Sequence, residues 1–327
     1  MTGYIARRLA LAVLTLWLVT VIVFVLLRVA PGDAVVAAIA QAPGEGALTA
    51  EQVDERREAL GLNRPYVVQY ADWISDLATF DSGTSLVTGG SVWDDVAPRI
   101  SVTLELALVA GLITALLGPA LGMVAAMNAG RPIDHGIRAL TFGLMSLPQF
   151  WVGLVVVIAL ASWFGYFRAV EYANLWDDPQ RNAEQILLPA VILALRPAAL
   201  IARVVRASAL DIISSDYVRA SRARGLTPAV VARRHVFRNA MLPGFTVFGA
   251  QMIFLLGGAV VMESVFNLPG LGRGLVLGVS LRDYPLVQFM VIGFASTAIL
   301  VNLAVDLAYA RLDPRIRLTR VAGASRS

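Results

Sequence analysis

Arg196 stands near the middle of a long apolar run and is followed by Pro197. An ionisable group at such a depth is costly and is a functional candidate by default. Arg196 could line a translocation path or pair across a subunit interface. Equally, it could snorkel, or bond a carbonyl freed by Pro197. Gln149, Gln251 and Asn302 could contact a passing solute, although hydrogen bonding between helices is the commoner use of such residues. Glu105 and Asp306 fall near span ends, where hydration is cheap, and read as structural. No pair of buried carboxylates offers a proton relay, which weighs against an ion-coupled transporter.

Composition removes most other chemistry. The chain has no Cys, so disulfides, thiolate metal sites and Cys nucleophiles are excluded. Its 27 basic residues are all Arg. Without Lys there is no ordinary phosphate-binding loop for nucleotide hydrolysis and no Schiff base. His135 and His235 are too few for a His-based metal cluster. GLGRG at Gly270–Gly274 superficially resembles a nucleotide-binding glycine loop, but it lacks the strand, the helix and the ribose-binding acid. It reads instead as a tight turn, part of a breaker-rich re-entrant or gating loop, Phe266–Gly272. No catalytic residue, metal ligand or bound cofactor is therefore expected. The net charge of +4 could suggest nucleic acid, but the basic residues cluster beside apolar spans, where membrane orientation explains them.

The elements that must position these residues are membrane spans. The chain is 57% hydrophobic, and its mean hydropathy of +0.70 is that of a polytopic membrane protein. Hydropathy predicts six spans: Leu9–Leu27, Ile100–Met127, Leu140–Phe167, Ile186–Val204, Pro243–Met262 and Leu286–Ala308. The first exceeds a signal-peptide core and reads as uncleaved. Pro148 and Pro197 are expected to kink the third and fourth. Residues 28–99 hold eleven Asp/Glu against five Arg, whereas Arg203–Pro243 carries eight Arg and two acids. Arg asymmetry places both termini in the cytoplasm and residues 28–99 outside. That outer segment is patterned: Thr49 with Gln52 makes a capping box, Gly61 ends a helix, and Pro65 opens another. Tyr66, Tyr70, Trp73 and Leu77 share one face of that second helix. They are expected to pack a small external subdomain or to lie at the lipid headgroups. The whole, residues 1–327, reads as one membrane domain with this insertion.

The basic loop, 203–242, has internal structure. Ser214, Ser215 and Asp216 are N-cap candidates for a short helix, Tyr217–Arg224, ended by Gly225. Thr227-Pro228 should cap a second helix running to about Asn239. Ala220, Ser221 and Ala223 are small enough for close approach of a partner, and Arg219 and Arg222 could meet its acids. An ordinary amphipathic helix on anionic lipid is the alternative.

RASRARG at Arg219–Gly225, with Leu242-Pro243 after it, resembles the EAA loop of ATP-binding-cassette (ABC) importer permeases. Arg219 stands where that motif has Glu, and the interval from Gly225 to Pro243 is longer than in the general motif. Both departures are similar to the peptide and nickel importer branch. Leu26–Val35, Leu60–Tyr70, Pro98–Leu108, Glu263–Leu275, Arg282–Gln288 and Asp306–Arg317 resemble the same branch. Their order resembles the B-type subunit of dipeptide and oligopeptide permeases.

The resemblance implies an all-α fold with six transmembrane helices, that of type I ABC importers, and an extracytoplasmic insertion between helices 1 and 2. It implies a heterodimer with a homologous permease in the bacterial plasma membrane, two cytosolic ATPases that hold ATP and Mg, and an extracytoplasmic solute-binding protein. It assigns ATPase coupling to Tyr217, Arg219, Ala220, Ser221, Arg222, Gly225 and Leu226. The implied task is ATP-driven import of dipeptides or oligopeptides, with nickel, glutathione or another small solute as the nearest alternative. From another class, an ion-coupled secondary transporter would need buried acids and no coupling hairpin. A membrane scaffold would need no polar residues along its spans.

Overall fold

The computed structural model describes residues 2–29, 36, 50–59, 61–79, 81–165 and 171–312. Apart from an isolated antiparallel bridge, Thr84 with Ser91, regular structure among them is helical. The order is α1 (Thr2–Val29), α2 (Ala50–Ala59), α3 (Tyr66–Ala78), α4 (Val92–Met127), α5 (Pro132–Ser146), α6 (Gln149–Phe164), α7 (Pro179–Ile213), α8 (Asp216–Ala223), α9 (Arg238–Phe266), α10 (Leu271–Leu281) and α11 (Tyr284–Leu312). Five stretches are long and apolar enough to cross a membrane: Arg7–Val29, α4, α7, Val231–Phe266 and Tyr284–Val305. The α5–α6 pair, bent by 99° at its break, makes a sixth if counted as one span.

The kink expected at Pro148 is a full break between two helices. Pro148 has no N–H to donate, and its ring disfavours the helical region at the residue before it. Leu147 is accordingly extended, with φ −91° and ψ 135°, and α6 starts afresh behind Pro148. Pro189 and Pro197, by contrast, lie inside an unbroken α7. There the helix is held by close neighbours. A Cβ on Gly122 of α4 would stand 2.6 Å from the Ala202 carbonyl oxygen, and one on Gly118 would stand 2.9 Å from Ile201. Gly118 and Gly122 thus form a small-xxx-small face that lets α4 and α7 approach backbone to backbone.

By contacts the chain divides into two compact units, Met1–Thr103 with Pro269–Ile299, and Leu104–Leu268 with Leu300–Ser327. In the first, Val92, Val96, Leu271 and Met290 form the core. Tyr70 and Trp73 of α3 pack on Phe24 of α1, ring centroids 5.3 and 6.1 Å away, and the Tyr70 hydroxyl shares a 2.8 Å hydrogen bond with Thr20. Two of the four expected aromatic-face residues therefore build the insertion against α1, while Tyr66 is exposed. Gly61 ends α2 as expected, with φ +67° and the paired bonds Gly61 N–H to Glu58 and Leu62 N–H to Arg57. Thr49 lies outside the described residues.

Two expectations are corrected. GLGRG is not a turn: the chain turns at Asn267–Gly270, and Leu271 onward is α10. Its N-terminus is held by Thr103 Oγ1, which accepts from Leu271 N–H at 2.9 Å. Gly274 serves helix packing, because a Cβ there would stand 2.6 Å from Met290 of α11. Likewise the helix opened by Pro228 does not stop near Asn239. Pro228–Val230 leads through a π-helical run, Val231–Phe237, directly into α9. Pro243 lies inside that helix. Ala240 is buried, and a Cβ on Gly244 would stand 2.8 Å from Val205, so packing on α7 keeps this stretch helical where sequence suggested a boundary.

The second unit has its core in Ala126, Ile201, Val205, Ala209, Val218, Val231, Val236 and Ala240. Its 171–178 connector is pinned by Tyr172, whose hydroxyl donates to Glu105 at 2.7 Å and accepts from Asn182 at 3.0 Å. Burial, and then the Glu105 bond, push the Tyr172 phenol above its ordinary pKa. Glu105 thus has the structural role expected of it. Glu263, expected beyond the end of a span at Met262, is instead wholly buried within α9.

Candidate functional site

Arg196, Gln149 and Gln251 stand in three different apolar runs of the sequence. The structure brings all three to one cavity of about 180 Å³, walled also by Met145, Pro197 and Phe254. The break at Leu147-Pro148 is what places Gln149, as the first residue of α6, against α7. Its Nε2 donates to the Leu193 carbonyl at 2.8 Å, which fixes the amide. Gly258 of α9 makes room for it: a Cβ there would stand 2.7 Å from Leu193 and 3.4 Å from Gln149 Oε1. Arg196 is exposed and has no ion-pair partner among the described residues. The cavity therefore offers one cation and amide groups in apolar walls, a setting for a small polar or anionic group. Asn302 is not among its lining residues, and the Asp306 side chain lies outside the described ones.

The basic hairpin is built locally. Ser215 precedes α8 in an extended conformation, but its hydroxyl donates back to Ile212 and makes no cap bond forward. Gly225 closes α8 with φ +82°. Its N–H donates to Arg222 at 2.9 Å, and Leu226 N–H reaches Ser221 at 3.4 Å. These are the paired bonds of a glycine-terminated helix. Val218 and Ser221 face inward, Val218 within the core of the second unit. Ser221 also donates to the Tyr217 carbonyl at 2.8 Å, a bond within the helix. Arg219, Ala220, Arg222, Gly225 and Leu226 are exposed. Arg219 bonds Asp216 on the same helix face. Tyr217 ties α8 to the π-helical run: its hydroxyl donates to the His235 carbonyl at 3.3 Å and accepts from Asn239 at 3.1 Å.

Sequence reasoning missed a pair that joins α5 to α7. Arg206 Nε and Nη2 donate to the two Asp134 oxygens at 2.6 and 2.7 Å, and Gly130 N–H adds a third bond at 3.0 Å. Asp134 is 1% exposed. The signal was available: Asp134 is the one acid in the otherwise basic segment 128–139. Beside the pair, His135, Arg138, Arg203 and Arg206 line a larger cavity of about 590 Å³.

Residues 118–318 match the family model described as binding-protein-dependent transport system inner membrane component, and residues 1–107 match its N-terminal companion. The chain is 36% identical over 342 residues to the di/tripeptide transport system permease protein DppB of Pseudomonas aeruginosa (strain UCBPP-PA14), covering 98% of this chain and 100% of that one. It is 37% identical to a peptide transport system permease protein of Brucella abortus (strain 2308), covering 97% and 99%. It is 36% identical to the glutathione transport system permease protein GsiC of Escherichia coli (strain K12), again covering 97% and 99%. Among solved structures, an inward-facing form of the MetNI methionine ABC transporter aligns with a TM-score of 0.53 at 19% identity, covering 67% of this chain and 96% of that one. That likeness shows the fold alone, the type I permease fold.

Proposed function

This chain belongs to the binding-protein-dependent transport system inner membrane components, the permeases of ABC importers, and we propose that it forms half of the translocation path of an ATP-driven importer of short peptides. It is a multi-pass membrane protein working with other ABC subunits. We assign it a homologous partner permease, two ATPases that hold ATP and Mg, and an extracytoplasmic binding protein. Its two compact units act as one permease domain, with both termini and α8 in the cytoplasm.

The observation that carries the ATP-driven reading is α8 itself. It is a short helix anchored by Val218 on one face and presenting Ala220 on the other, with Gly225 bounding it. A docked ATPase pushing on such a helix moves α7 and α9, because Val218 shares a core with Val205 and Ala240. The chain contributes no bond-making chemistry; its work is a shift between two global states. Peptide as cargo is supported by the relatives named for di/tripeptide and peptide transport. The relative named for glutathione favours a second reading, a small tripeptide-like thiol compound.

Reconstitution with all partners tests this. Short-peptide uptake should require ATP, and the chain alone should hydrolyse none. Uptake that survives ATP depletion but stops with the proton gradient would refute the class. Glutathione uptake without peptide uptake would refute the cargo alone. For topology, Ser75→Cys should react with an impermeant reagent in intact cells and Ala223→Cys should not.

A further inference from the structure

We infer that α7 carries a two-station track for anions, so that this permease itself discriminates carboxylate-bearing peptides on their way through. The inference rests on the peptide-importer reading and adds a specificity element to it. Arg196 lines the smaller cavity, and Arg203 and Arg206 line the larger one. Positions 196, 203 and 206–207 recur at intervals of seven and three to four, so they share one face of α7. The opposing wall comes from α5, where His135, Arg138 and Phe142 follow the same spacing and Met145 continues it.

A side-chain contact links a wall residue of one cavity to a wall residue of the other. Arg203 Nη1 lies 3.3 Å from Met145 Sδ, and Met145 belongs to the wall of the Arg196 cavity. Thioether sulfur is a weak acceptor and leaves the Arg203 charge uncompensated. Asp134 is the acid that faces this cluster, and its oxygens are taken by Arg206 and Gly130 N–H. It orients Arg206 and leaves Arg138 and Arg203 without an ion-pair partner among the described residues. Seven residues of helix separate Arg196 from Arg203, a step of roughly 10 Å. Conduction needs sites favourable enough to enter yet weak enough to leave, and stations in series meet that need. A carboxylate held at Arg196 has a second cationic station within one peptide length.

The test uses the full complex in vesicles with and without anionic lipid. The probes are Ala-Ala, Ala-Ala amide, Ala-Glu and Ala-Gln. The variants are Arg138→Gln with Arg203→Gln, and the charge-preserving Arg203→Lys. Each variant is scored as its uptake relative to wild type for the same peptide, which cancels selection by the binding protein. The double variant should lose about tenfold or more for Ala-Ala and Ala-Glu relative to Ala-Ala amide. Arg203→Lys, which keeps the charge, should retain most of the uptake that the double variant loses. Equal loss for charged and amidated peptides, or none, overturns the track while leaving peptide import intact. Loss that appears only with anionic lipid and is equal for all probes assigns the basic cavity to a lipid phosphate and overturns it too. If the wild type imports no peptide at all, the parent reading fails, and this one with it.

Discussion

The basic hairpin and the polar cavity use the same side chain, arginine, in opposite ways. In the hairpin, Arg219 and Arg222 are exposed on an eight-residue helix, and Arg219 pairs with its neighbour Asp216. Exposed pairs of that kind contribute little. Position is supplied by the Val218 anchor and the Gly225 terminator. Around α7 the arginines sit in walls drawn from α5, α6, α7 and α9, and Asp134 spends a buried carboxylate on orienting one of them. On the proposed roles, the hairpin is a shape that carries charge, and the cavity is a charge arrangement that selects cargo. Damage to the first should affect every cargo alike, and damage to the second should depend on what the cargo is.

The sharpest way to break this comparison is Ala220→Trp. The residue is exposed and off the internal core, so the protein should reach the membrane in normal amount. A bulky ring there should block close docking, lowering uptake of every peptide more than about tenfold together with ATPase stimulation. Selective loss of one peptide class would mean that the hairpin is not a general coupling element. Next in size is Gly122→Val at the α4–α7 crossing. Overpacking costs about 1–3 kcal/mol, seen as a lower midpoint of thermal unfolding in detergent. An unchanged midpoint would show that the close approach to Ala202 is not rigid.

Gly225→Ala should cost about 1 kcal/mol through the left-handed backbone it must keep. Because the strain sits in the hairpin, coupling should weaken for all cargoes before global stability falls. Gly225→Asn, which tolerates that conformation better, should recover much of the loss. Arg196→Ala should lower uptake of peptides with a free carboxylate severalfold while amidated peptides change little. Uniform change across cargoes would return Arg196 to a purely structural role. The smallest effect belongs to Tyr217→Phe. It removes exposed bonds to His235 and Asn239 whose groups water can satisfy instead, so the cost should be about 0.5 kcal/mol, read as faster hydrogen exchange in α8.

How much of this was legible in the chain follows the range of the forces involved. The α8 terminator at Gly225 could be read directly, because a left-handed residue after a helix is a requirement of two or three neighbouring peptides. The end of α2 at Gly61 was legible for the same reason. The proline at 148 was equally visible, yet not whether it bends a span or divides one. Pro197 and Pro243, identical in local chemistry, stay inside helices. What separates them is packing: α7 and α9 are clamped at Gly118, Gly122 and Gly244, whereas Leu147 is exposed and released into extended backbone.

The sequence by itself determined what kinds of residue could do work. It supplied an arginine and two glutamines inside apolar runs, an arginine-rich loop with a helix terminator, and no thiol or lysine. Those are properties of composition and short spacing, and hydrophobic burial converts them into spans without further information. Tertiary structure alone decided that Arg196, Gln149 and Gln251 share one cavity, that Ser221 faces inward while Ala220 faces out, and that Asp134 spends its charge on Arg206. Each of these depends on which helix faces meet, and helix faces are chosen by side-chain volumes summed over residues far apart in the chain. No local pattern around Gln149 specifies that Gly258, more than a hundred positions later, will leave room for its amide.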